Sequence, residues 1–430
     1  MVTVSVAPTG IVASIVAALD SPAVLIALVG VSASFAAASF IATSPKSRPY
    51  GIIAIAGLAT TLPATTILFA VGPLRLSEVA PTLILLVTFI PGVTHRSSTV
   101  GIHRRYWTSY IVVVMTCGGV VAALASPSEI GQVFAKLTIT ALPLTLAVSR
   151  LLPNRREICW LALGLVLGIT ASTIFGMGGA VGDQGRAMGF TNHSNQYAVH
   201  AVISMPLLWL FCREHRLGLR WMLIPATLQL WGLLLSGSRS GLLAFIAVLV
   251  LWLWRRTGLL SLTVGLFFGL VTAVAISLSP PVTIGTPLIE RLLNPEETEN
   301  SNAARVQRIQ EGVANVIEQP IFGTGIPLQN LPHNVVLLVW TGMGLLGLFA
   351  FLVLVWRVAG PALLLKTPSL QWALSLSVLA FLVGVFFNNT LGSPVAWFVI
   401  GLLHVAQLHT GEPEARTLNG GRAKRGSPVS

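Results

Sequence analysis

The chain alternates between apolar runs of roughly twenty residues and short polar breaks. Between the first and the last of these runs the longest polar break is from Pro280 to His333. Roughly twenty residues is the length a helix needs to cross a hydrocarbon core. Lipid leaves irregular backbone unsatisfied, so such runs must be helices and the long insert must leave the bilayer. Runs of this kind fall near 22–43, 51–72, 77–94, 106–126, 129–149, 158–177, 195–212, 219–236, 240–254, 257–279, 334–356, 369–388 and 391–408. Val4–Leu19, turning back at Asp20-Ser21-Pro22, offers one more, and several runs have the length of half-helices. The expected fold is all-α: a polytopic integral membrane protein with about 12–14 transmembrane helices and one large, partly helical extracytoplasmic loop at about 280–333. Residues 1–410 read as a single transmembrane domain, and 411–430 as a disordered, basic cytoplasmic tail suited to touching anionic lipid.

Composition closes off the soluble classes. With 54% hydrophobic and only 9% charged residues, the chain has far fewer charges than the quarter or so of a soluble domain. Its net charge of +12 therefore reads as topogenic Lys and Arg rather than as a nucleic-acid surface. Nineteen of the 26 basic residues gather on one side of the apolar runs, among them Arg48, Arg105, Arg150, Arg155, Arg213 and Arg357. The positive-inside rule makes that side cytoplasmic. The insert, the 178–194 loop and the 236–240 turn are then outside, with Arg75, Arg186, Arg239, Arg291, Arg305 and Arg308. Cys117, Cys159 and Cys212 show no metal-ligand spacing and read as packing residues. No charged n-region precedes the first apolar run, so no cleavable signal peptide is expected.

The insert carries a helical period of its own. Val306, Ile309, Val313, Val316 and Ile317 recur at helical spacing, with Asn300-Ser301-Asn302 as capping candidates and Pro320 beyond the end. At 100° per residue Arg305 falls on the shoulder of that apolar face, where it can be pressed against the rest of the protein. Arg308 points well away, toward solvent, and Glu311 lies on the polar side.

The basic groups on the outer side are few, so each is informative. Arg239 sits in Ser236-Gly237-Ser238-Arg239-Ser240-Gly241, a small-residue break between two apolar runs. There backbone N–H groups and a guanidinium can converge on an anion; a short loop whose arginine snorkels to headgroups is the bland alternative. Arg186 precedes Gly189-Phe190-Thr191-Asn192-His193-Ser194-Asn195, and Asn192 with His193, like the pair His333-Asn334, also reads as a helix cap. His200, His404 and Lys136 lie within apolar runs, where any ionisable group is a suspect. Carboxylates are nearly absent from the runs, which counts against proton- or cation-coupled transport. The outer side has no aspartate-rich cluster for a metal, so a phosphate-bearing substrate would have to be held by arginines. No G-x-S-x-G elbow, HExxH or P-loop appears.

Three blocks together resemble the O-antigen ligase and O-antigen polymerase superfamily of bacterial inner-membrane glycan transferases. The first is Gly189-Phe190-Thr191-Asn192-His193-Ser194-Asn195-Gln196-Tyr197-Ala198, and the second is Ser236 to Gly241. The third is Arg305, then Pro320-Ile321-Phe322-Gly323-Thr324-Gly325, then His333-Asn334 and an apolar helix with Gly344 and Gly347. Together they cover roughly 187–350. Two positions depart from the family's pattern: Ile309 stands where an aromatic is common, and Gly342 where the helix often carries an acid.

The resemblance implies a glycosyltransferase at the outer face of the inner membrane. It would move a glycan from a polyprenyl-pyrophosphate carrier to an acceptor hydroxyl on a lipid or another glycan, with no cofactor or metal and with inversion. Arg239 and Arg305 match the family's essential arginines and would clamp the pyrophosphate. His333 matches its essential histidine and would deprotonate the acceptor or assist the leaving group. Arg186, Asn195, Ser238, Ser240 and Asn334 would bind or orient the substrate. The competing class is a membrane transporter or exporter of anions or lipid-linked sugars, whose mark would be inverted repeats around broken helices; no internal repeat is evident.

Overall fold

The computed structural model describes residues 47–65, 70–71, 74–94, 102–125, 137–177, 186–257, 299–324, 334–364, 369–387 and 391–410. Outside them lie the apolar stretches before residue 47, nearly all of the run near 257–279 and the tail from 411. Lys136, Arg291 and the two ends of the insert, 280–298 and 325–333 with Gly325 and His333, also lie outside the described residues.

Helices carry nearly all that is described. In chain order they are α1 (Ser47–Ala59), α2 (Leu76–Val87), α3 (Ile102–Arg105), α4 (Trp107–Ala125), α5 (Leu142–Leu151), α6 (Arg155–Met177) and α7 (Ser194–Glu214). They continue with α8 (Leu219–Ser236), α9 (Arg239–Thr257), α10 (Glu299–Glu318), α11 (Val335–Leu364), α12 (Leu370–Phe386) and α13 (Pro394–Thr410). Two of them, α6 and α11, are long and apolar enough to cross a membrane, and several shorter ones are comparably apolar.

The apolar run at 51–72 is not one helix. α1 stops at Ala59, where the hydroxyls of Thr60 and Thr61 turn back to the carbonyls of Gly57 and Leu58 (2.6 and 2.7 Å). Pro63 follows and has no N–H with which to continue the ladder. Farther on, Ala70–Val71 and Leu74–Arg75 form a minimal antiparallel pair. Hydropathy saw the apolar content but not this change of backbone.

The centre of the bundle is built by helices that are apolar on every side, as buried helices must be. α7 lies between α6, α8 and α12, and α13 packs between α5 and α12. Trp372, Trp397, Tyr197, Phe381 and Phe398 are fully buried there. The peripheral helices carry large apolar side chains on their exposed faces as well, among them Trp160, Trp221, Ile224, Phe349, Trp356 and Leu364.

One end of the bundle is sewn together by arginines bound to loose carbonyls at helix ends, a role suited to cations at the negative pole of the helix dipole. Arg48 makes a bidentate pair with Glu157 (2.8 and 2.6 Å) and also donates to the carbonyls of Val93, Leu151 and Leu152. Arg105 donates to Ser149 O and Arg150 O, and Arg150 to Thr88 O. His404, a suspect for lying in an apolar run, is spent in the same way on Arg105 O (3.0 Å). His200 pairs with the Ser393 hydroxyl (3.0 Å).

At the opposite end α11 breaks. Gly344 takes φ 62° and ψ −166° inside the long helix. In an unbroken helix the Leu345 N–H would bond to Thr341 O. Instead Leu345 N–H donates to Ile321 O and Thr341 O accepts from Thr324 N–H, both at 2.9 Å. The turn Pro320–Thr324 thus plugs its own backbone into the break and satisfies both orphaned groups. Trp340 adds an indole N–H bond to Pro320 O (2.9 Å). This joint fastens α10, the helix of the insert, onto α11.

Candidate functional site

Three segments, the loop entering α7, the turn between α8 and α9, and α10, are linked by hydrogen bonds or by charge, and the head of α11 carries a fourth set of candidates. The first is the loop entering α7. Its Ala187 N–H reaches Leu235 O (3.1 Å), Phe190 N–H reaches the Ser172 hydroxyl (2.8 Å), and Thr65 N–H reaches Phe190 O (2.9 Å). Arg186 braces the loop from within: Nε donates to Ser236 O (2.7 Å) and a terminal nitrogen to Asn195 Oδ1 (3.0 Å). Arg186 and Asn195 are therefore brought together, and both are tied to the turn that carries Arg239.

That turn is the elbow between α8 and α9. Gly237 closes α8 in the left-handed conformation (φ 60°), which a residue without Cβ adopts at low cost. Ser238 then caps α9: its hydroxyl accepts from Gly241 N–H (3.1 Å) and lies 3.2 Å from the Ser240 hydroxyl. Ser238 and Ser240 are both buried, so the geometry gives them the work of shaping the elbow. Arg239, the first residue of α9, is left partly exposed on that rigid mount.

The third segment is α10, and here the sequence expectation is reversed. The apolar stripe Val306, Ile309, Val313 and Ile317 is exposed, Ile317 to 75%, with only Val316 of the set buried. Arg305, Arg308 and Gly312 share the inward face, so Arg308 is not the solvated residue the helical period suggests. The period was right and its direction wrong. A wheel argument assumes that apolar faces turn inward from water, whereas a helix bordering an apolar medium turns its ionisable face inward. The helix also starts by Glu299, so Asn300-Ser301-Asn302 lie within its first turn rather than capping it.

Arg305 lies within the electrostatic field of Arg239. Burial, then the charge of Arg239, then that of Arg308, lowers the Arg305 pKa. Neither Arg239 nor Arg305 has a hydrogen-bond acceptor for its guanidinium among the described residues. The ion pairs among those residues, Arg48–Glu157 and Arg155–Glu214, are both at the far end of the bundle. Like charges held together in a partly desolvated place repel unless an anion joins them.

The fourth segment is the head of α11, where Asn334 Oδ1 accepts from the N–H groups of Val336 (2.9 Å) and Leu337 (3.2 Å). Asn334 is thus a helix cap. His333, its neighbour in sequence, lies outside the described residues.

One residue at this site, His193, was left open in the sequence between a cap and a functional group. His193 Nδ1 does accept from Asn195 N–H (3.2 Å) at the start of α7. Yet burial of the ring, then the charge of Arg186, then that of Arg305, holds the imidazole below the ordinary histidine range, so it stands in the field of both arginines. The motif around it gave no signal separating a cap from a ligand, because that depends on what faces Nε2.

Residues 224–352 match the protein-family model described as O-antigen ligase. That segment is similar to the O-antigen ligase family. It holds Arg239, Arg305, the Gly323–Gly344 joint and Asn334. At family level the match supports a membrane glycosyltransferase of the O-antigen ligase and polymerase kind, acting on lipid-linked glycans. A search among curated proteins returns no match.

Proposed function

We propose that this protein transfers a glycan from a polyprenyl-pyrophosphate carrier to an acceptor hydroxyl at the outer face of the bacterial inner membrane. The observation that supports the reading is that Arg305 on the insert helix feels the charge of Arg239 on the elbow, while neither has a carboxylate acceptor among the described residues. A pyrophosphate leaving group develops negative charge as the C1–O bond breaks, and preorganised guanidiniums stabilise it there. His333, next to the Asn334 cap, accepts the acceptor's hydroxyl proton as the new C1–O bond forms. Attack opposite the departing pyrophosphate inverts the anomeric carbon. Arg186 and Asn195 hold the elbow that presents Arg239.

The lipid tail has a suitable surface. A groove of about 590 Å³ opens between α4 and α11 beside the docking turn, lined by Gly118, Val121, Phe322, Met343, Leu346 and Phe349. The exposed apolar flanks of the bundle and the outward stripe of α10 suit a bilayer, with the arginine-sewn end in the cytoplasm.

The test is genetic complementation. In a strain lacking the chromosomal copy, Arg239→Ala, Arg305→Ala and His333→Ala, each expressed at wild-type level, are expected to lose the surface glycan. Normal glycan from all three contradicts the reading.

A further inference from the structure

The Nδ1 atom of His193 is occupied, and that fixes what the rest of the ring can do. An atom accepting an N–H bond carries no proton, so the neutral ring bears its proton on Nε2, which is a donor. Among the described residues no partner takes that donor. The residue keeps accessible surface although its ring is partly desolvated, and the charges that act on it come from Arg186 in its own loop and Arg305 on α10.

We infer that His193 is a ligand of the same anion as Arg239 and Arg305, donating its Nε2–H to a phosphate oxygen. This rests on the proposed function and adds to it a third, uncharged donor supplied by a third element. Two guanidiniums supply charge but repel one another; a neutral imidazole adds a directed hydrogen bond without adding to that repulsion. The capping bond also fixes the ring's orientation before any ligand arrives, which lowers the entropy lost on binding.

The two ends of the ring can be separated by substitution. Asparagine and serine are good N-caps, so His193→Asn and His193→Ser keep the Asn195 N–H satisfied while removing the Nε2 donor. Inorganic pyrophosphate is titrated calorimetrically into the full-length protein in lipid nanodiscs, with thermal stability measured alongside. Both variants are expected to melt like wild type and to bind pyrophosphate about tenfold more weakly. Unchanged affinity in the two variants overturns the inference. Arg239→Ala and Arg305→Ala run beside them: if these lose binding while His193→Asn does not, only the histidine's role fails. If the arginine variants also bind normally, the proposed anion site fails with it. A measurement on the unsubstituted protein stands apart from folding: the His193 Nε2 nitrogen resonance is expected to shift on saturation with pyrophosphate, and an unmoved resonance contradicts the contact.

Discussion

Gly323 and Gly344 sit back to back, each with positive φ (77° and 62°), and a Cβ built on Gly323 would lie 2.8 Å from Gly344 N. They belong to different elements, the docking turn and the break in α11, and each leaves the space that the other's backbone fills. Two exchanged hydrogen bonds, Leu345 N–H to Ile321 O and Thr324 N–H to Thr341 O, close the joint. The insert helix with Arg305 is thereby fixed to α11 through two backbone bonds, with the Trp340 indole N–H to Pro320 O as a third.

Alanine at either glycine should loosen the joint. A left-handed residue with a Cβ costs about 1–3 kcal/mol, and at Gly344 the added carbon also meets the Phe322 carbonyl carbon at 2.6 Å. Gly344→Ala and Gly323→Ala are expected to expose the 299–324 segment to limited proteolysis while the remaining helices stay protected. Glycan output should fall with α10 release. Wild-type protease resistance would show that the joint tolerates a side chain.

Arg239 and Arg305 should resist conservative exchange. Lysine keeps the charge but not the planar fork that takes two phosphate oxygens at once. Loss of one preorganised donor to a developing anion costs about 10²- to 10³-fold in rate. Arg305→Lys and Arg239→Lys are expected to lose most transfer activity with a purified lipid-linked donor. Arg308→Lys, on the same inward face but farther from the elbow in sequence, should cost less than either.

Ion pairs at the other end of the bundle should differ by burial. The Arg48 and Glu157 side chains are 16% and 15% exposed, and Arg48 also holds three carbonyls. Breaking a buried pair by removing one partner costs about 3 kcal/mol or more, so Arg48→Met should lower the unfolding midpoint strongly. In Arg155–Glu214 the arginine is 61% exposed, and Arg155→Met should change stability by at most about 1 kcal/mol. Denaturant titration in detergent micelles compares the two.

Acidification should weaken the α7 cap. The His193 pKa is held below its ordinary 6.5 by burial of the ring, then by the charges of Arg186 and Arg305. Between the ordinary value and the lowered one the unfolded chain binds a proton that the folded chain does not, so stability falls as pH falls through that window. Protonation also converts Nδ1 from acceptor to donor and breaks its bond to Asn195 N–H. Thermal stability from pH 7 toward pH 5 should decline more in wild type than in His193→Asn; parallel profiles would show that His193 does not titrate there.

Helix positions were legible where apolar runs ended at polar breaks, as at α7, α8, α9, α12 and α13. The region after Ala59 was not, because Thr60, Thr61 and Pro63 change the backbone without changing hydropathy. The Pro320–Thr324 motif and Gly344 stood out as residues, but the joint they form is a long-range fit with no local signature. For α10 the period was readable and the facing was not, since the half-burial of Arg308 beside Arg305 depends on the medium outside the helix. Asn195 and Arg186 were candidates in sequence; that one grips the other became visible only with the loop folded onto the elbow.

The central claim is that Arg239 and Arg305 hold the donor's pyrophosphate. A cryo-EM structure of the full-length protein in nanodiscs with a polyprenyl-pyrophosphate-linked glycan tests it most directly. Diphosphate density is expected within hydrogen-bond distance of both guanidiniums, with the lipid tail leaving toward the bilayer. A diphosphate seated elsewhere, touching neither arginine, would contradict it.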